Sequence, residues 1–182
     1  MLKIAAAILS GAILASCSTT DTGPVVRLKD GEQAVPADYK SWPKFLMNVQ
    51  RGDAKQVRDI YINPVGARTQ KGQTFPNGTI MVMENYAAKP GTDGKLAKGE
   101  LLRVFVMGKG AGWGDSAPEG LKNGDWIYSG YMADGKTRSP EPFTACRSCH
   151  LPLAKADFVF RVDEYFATRD GGTYRGPAAG GY

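Results

Sequence analysis

An α+β, β-rich fold, with an antiparallel sheet flanked by helices, is what three observations predict for this chain. Between residues 57 and 132, four short runs of β-branched, aromatic and aliphatic residues alternate with turn signals. Several runs carry apolar residues on both alternating faces, which points to a sheet covered on both sides. Beyond them, Phe158, Val162 and Phe166 recur at a four-residue spacing, with Tyr165 alongside, the period of a terminal amphipathic helix. A length of 182 residues, 42% of them hydrophobic, suits one domain with a proper core.

The elements follow in order. "YKSWPKF", near 39 to 45, opens with a short helix interrupted around Pro43. "VRDIYIN", 57 to 63, is β-branched and aromatic and stops at Pro64. "GTIMVMENY", 78 to 86, follows the turn-like "FPNG". "NYAAKPGTDGKLAKGE" reads as a surface loop between two strands. "LLRVFVM", 101 to 107, precedes a Gly-rich stretch, and "DWIYSGYM", 125 to 132, sits between "KNGD" and "DG". No internal repeat and no second domain boundary interrupts the pattern.

The N-terminus reads as an export signal. Lys3 precedes an apolar run, Ile4 to Leu14, that is too short to span a bilayer. The run ends in Leu14-Ala15-Ser16-Cys17, which resembles a bacterial lipobox. That resemblance implies removal of residues 1–16 and acylation of Cys17. Ser18, rather than Asp, after the cysteine resembles sorting to the outer membrane. The expected location is therefore the periplasmic side of the envelope, with a lipid anchor. Residues 17–36 are expected to form a flexible tether, residues 37–169 the domain, and the Gly-rich 170–182 a disordered tail. The net charge of +5 is modest and the Lys and Arg residues are scattered, which argues against nucleic-acid binding.

With Cys17 acylated, two cysteines remain, and both fall in "FTACRSCH" beside the chain's one histidine. An oxidising compartment would permit a disulfide, but a bare disulfide leaves the lone His150 unexplained. A structural zinc needs four ligands, more than the chain offers. A thioredoxin-like redox motif belongs in a βαβ context, which is absent. Cys-x-x-Cys-His is the attachment signature of c-type haem. Two thiols one helical turn apart can add to the two vinyl groups of one haem, and the adjacent imidazole then lies under the iron. Cys146 and Cys149 are the expected thioether donors, and His150 the iron ligand of a single covalent haem c. No Met follows His150, so a methionine ligand would come from upstream: Met47, Met81, Met83, Met107 or Met132.

"VRDIYINPVG", "FPNGTIMVMENY" and "ACRSCHLPLAKADFVF", in that order, resemble the cytochrome P-460 family over roughly residues 37 to 168. The resemblance implies a β-rich, usually dimeric protein with one haem c, so a homodimer is among the expected partners. In crosslinked members a lysine from the strand after Phe-x-x-Gly-Thr bonds to the haem edge, a linkage associated with hydroxylamine oxidation. Here Met83 stands at that position, and a thioether cannot supply the amine. The chain is therefore more similar to the relatives called cytochrome c-prime-beta, which bind nitric oxide and carbon monoxide at an open distal site.

Arg58 shares its strand parity with Ile60 and Ile62 and faces inward, toward a propionate or a distal ligand, unless it snorkels to water. Met83 packs in the core or against the haem, or serves as a weak axial ligand. Phe158 and Phe160 are expected near the porphyrin or, equally, in an ordinary core role. The leading expectation is an open or weakly ligated iron site for a gaseous or nitrogen-oxide ligand, served by a periplasmic redox partner. An electron carrier with a Met sixth ligand, and an oxidoreductase of the hydroxylamine-oxidising type, are the alternatives.

Overall fold

The computed structural model describes residues 26–92 and 94–172. Its centre is a five-stranded antiparallel meander in the order β1 (Lys44–Arg51), β2 (Gln56–Ile62), β3 (Ile80–Pro90), β4 (Leu96–Lys109) and β5 (Trp126–Met132). Three short α-helices accompany it: α1 (Pro64–Ala67), α2 (Phe143–His150) and α3 (Val162–Arg169). The β-rich α+β class holds, and the four expected strands are β2 to β5.

Two stretches differ from expectation. The helix foreseen at 39 to 45 is a single 3-10 turn, Tyr39–Ser41, after which Pro43 leads into β1. Strand β1 was not foreseen, because its apolar alternation is broken. Asn48 sits in the left-handed region (φ 54°) at a register shift between Leu46 and Val49, and its N–H donates to Asp59 Oδ1 at 2.8 Å. The stretch expected as a loop between residues 85 and 100 is largely a hairpin, in which β3 and β4 stay paired out to Pro90 and Leu96. Its sequence is polar, so no burial pattern marks it as strand. The backbone ladder holds it, and Gln50 of β1 adds bonds to both the N–H and the carbonyl of Leu96.

The sheet is covered on both faces, as its strands imply. Register aligns Ile60, Met83 and Phe105 in one cross-strand row, and Asp59, Glu84, Val104 and Tyr131 in the next. Neighbouring rows point to opposite faces. On the first face Ile62, Met81, Trp126 and Tyr128 pack with Val159, Tyr165 and Phe166 from the C-terminal segment. The Tyr165 ring stacks on Phe45 with centroids 4.3 Å apart. Helix α3 begins only at Val162, so Phe158 lies before it in an irregular turn and the spacing that included it overreached.

On the second face, Tyr39, Val82, Val104, Val106 and Tyr131 form a smaller core. Glu84 is buried at its edge, where Tyr39 and Tyr86 each donate a hydroxyl to its carboxylate at 2.7 Å. Burial alone would raise this carboxyl. The two phenols, helped by the Lys40 charge, hold it below its ordinary 4.5. Its contribution to stability is therefore present above 4.5 and is lost as pH falls through the lower folded value. Glu84→Gln should cost about 2 kcal/mol at neutral pH, since bonds to a charged acceptor are lost, and should flatten the acid limb. Urea denaturation across pH checks both.

Residues 26–36, expected as the end of a tether, are docked along β5. The Gly31 N–H donates to the Tyr128 carbonyl at 2.7 Å, and the Tyr131 hydroxyl donates to the Gln33 carbonyl at 2.7 Å. This segment covers a sheet edge that would otherwise present unpaired backbone. The export signal, Cys17 and most of the expected C-terminal tail lie outside the described residues.

Candidate functional site

Helix α2 carries the whole "FTACRSCH" run. Pro142 stands at its N-cap, with no N–H to satisfy. A three-residue separation places Cys146 and Cys149 on the same side of the helix, and both are free thiols. Between α2 and the first face of the sheet lies a predominantly apolar cavity of about 350 Å³. Both cysteines and His150 line it from the helix, and Ile60, Met83 and Phe105 line it from the sheet. A larger, more open groove of about 550 Å³, between Val65 and Pro76, shares no residue with this cavity and holds no cysteine or histidine.

The helix is held by the residue between the cysteines. Arg147 is fully buried. Its Nε donates to Asp30 Oδ2 at 2.7 Å and its Nη2 to Asp30 Oδ1 at 2.9 Å. Further bonds reach the carbonyls of Trp126 and Leu121. The guanidinium also lies over the Tyr128 ring, 5.4 Å from its centroid. Helix α2 is thus clamped to β5 and to the docked N-terminal segment.

His150 Nδ1 lies 2.7 Å from the Phe158 carbonyl. That oxygen only accepts, so the bond places the proton on Nδ1 and leaves Nε2 with the lone pair a metal needs. Burial holds the imidazole below its ordinary 6.5, and the charge of Arg58 pushes the same way, so the ring is neutral at pH 7. Burial, with Asp30 adding to it, pushes the Cys146 thiol up to about 11.

The foreseen residues assemble with one exception. Arg58 and Met83 line the cavity with Cys146, Cys149 and His150, and Met81 joins them. Phe158 does not: its ring packs into the core, and its part in the site is the carbonyl that holds His150. Phe160 takes the expected place, lining the cavity edge-on to the imidazole with centroids 4.8 Å apart. Sequence reasoning missed Arg51, Arg161 and Tyr128, which also line it. No local motif marks them.

The residues present fit a haem. The cavity lining is predominantly apolar, and three guanidinium groups reach it: Arg51, paired with Asp53, Arg161, paired with Glu164, and Arg58, which donates to Gln56. The Tyr128 hydroxyl is buried with no hydrogen-bond partner, a state that costs free energy unless an occupant satisfies it. Among the described residues no group of three or more His, Cys, Asp or Glu side chains could hold a metal ion directly.

The family model described as Cytochrome P460 matches residues 36–161, more than half of the chain. No curated protein matches it.

Proposed function

The chain belongs to the cytochrome P460 family, and from that premise we propose a mono-haem c-type cytochrome with an open or weakly ligated distal iron for a small ligand of the nitric oxide kind. One observation carries this reading. Met83 lines the cavity at the position where the sequence resemblance puts a crosslinking lysine, and among the described lining residues there is no lysine. Hydroxylamine oxidation of the crosslinked type is correspondingly disfavoured.

A haem bound here supplies an iron that takes up diatomic ligands and exchanges single electrons. Cys146 and Cys149 would hold its edge, and His150 would offer Nε2 to the iron. Arg58, which lines the cavity, would meet a propionate or a polar ligand. The predominantly apolar wall would limit water near the iron. The anchor at Cys17, the periplasmic setting and a redox partner rest on the sequence alone. Among the described residues no helix is long and apolar enough to cross a membrane.

A second reading has its own observation. Met81, Met83 and Met107 all line the cavity, so a thioether is at hand as sixth ligand of an electron carrier. Resonance Raman and optical spectra of the reduced protein separate the two. The first reading expects high-spin, five-coordinate iron. Low-spin iron without added ligand overturns it, and loss of the sixth ligand in Met83→Ala or Met81→Ala would establish the second.

A further inference from the structure

Between the haem motif and α3, the chain places two successive residues in the left-handed region, Asp157 (φ 52°) and Phe158 (φ 60°). Aspartate tolerates this conformation, but an aromatic residue adopts it at a cost in free energy. Such strain persists only where the surroundings over-determine it. Here it has a visible product, because the turn brings the Phe158 carbonyl within 2.7 Å of His150 Nδ1.

The surroundings that hold the turn come from the sheet. Lys109, the last residue of β4, donates from Nζ to both oxygens of Asp157, at 2.9 and 2.8 Å. The same ammonium donates to the Phe75 carbonyl at 2.8 Å, and the Phe75 N–H donates to Asp157 Oδ2 at 2.8 Å. It also lies over the buried Trp126 ring, 5.5 Å from its centroid. Both partners are close to nine-tenths buried, at 12% and 11% exposure, so solvent screens the pair little. From the other side, the Phe158 N–H donates to the Leu153 carbonyl at 2.8 Å.

We infer that Lys109 and Asp157 are positioning residues for the proximal imidazole. The ion pair fastens the strained turn to β4, and the turn keeps the Phe158 carbonyl on Nδ1. That bond fixes the ring's rotation and tautomer, and it pushes electron density toward Nε2, which strengthens the iron–histidine bond. The inference rests on the haem reading proposed above.

The test uses the full-length protein matured with haem. Lys109→Met removes the cation at similar length. Asp157→Asn keeps size, the left-handed tendency and an acceptor for the Phe75 N–H, and carries the test if the first variant does not mature. Both should move the ferrous iron–histidine stretch to lower wavenumber and raise the reduction potential. Lys109→Arg should restore part of each shift. Variants that carry haem with stretch and potential unchanged, even if less stable, would reduce the pair to a structural staple and overturn the inference. A wild-type protein that takes up no haem would instead overturn the reading beneath it.

Discussion

Replacing Cys146 and Cys149 together by alanine should abolish covalent haem retention, leaving any bound haem extractable by acidified acetone. Each single variant should keep one thioether and show a shifted absorption band. The burial of Cys146 bears on the timing of attachment. Thiol addition proceeds through the thiolate, yet in the folded chain burial pushes the Cys146 thiol up to about 11. Folded haem-free protein mixed with haem should therefore form the Cys146 thioether far more slowly than protein matured during export. Intact mass and haem-stained denaturing gels read both outcomes. Full covalent retention in the double variant would end the c-type reading.

Arg147→Met should lower the unfolding free energy by about 3 kcal/mol, the low end of the range for breaking one side of a buried ion pair. The low end applies because Asp30 keeps 18% exposure and can be partly rehydrated once its partner is gone. Asp30→Asn should cost less, about 1–2 kcal/mol, since a neutral amide still offers an acceptor to the guanidinium. The double variant should be less destabilised than the sum of the two, because they share one interaction. Denaturation in guanidinium chloride measures all three. The effect matters for function because Arg147 lies between the two cysteines, and Asp30 lies in the segment leading back toward Cys17. The same pair ties helix α2 to the segment that begins the described residues.

Much of the centre of this site is local chemistry and could be read along the chain. Cys146, Cys149 and His150 fall within five residues, and helix geometry alone puts them on one structure. Strands β2 to β5 announce themselves by β-branched and aromatic runs between Gly, Asn and Pro punctuation. The inward parity of Arg58, and the place of Met83 on the strand, follow from a period of two.

What could not be read along the chain depends on partners far apart in it. Strand β1 hides because a left-handed Asn48 breaks its alternation, and that conformation is stabilised by Asp59 across the pair. The polar hairpin out to Pro90 hides because its bonds run from backbone to backbone and to Gln50, independent of side-chain pattern. Phe158 looked like a helix position and a porphyrin neighbour. Lys109 and Asp157, 48 residues apart, hold it in a turn where its carbonyl, not its ring, serves the imidazole. Tyr128 gave no signal until folding buried its hydroxyl without a partner. Arg147 and Asp30, 117 residues apart, had no more reason to be paired on paper than any other basic and acidic residue. The residues that would hold the cofactor sit in one short helix, while the groups that would orient and enclose it act through contacts that exist only once distant segments meet.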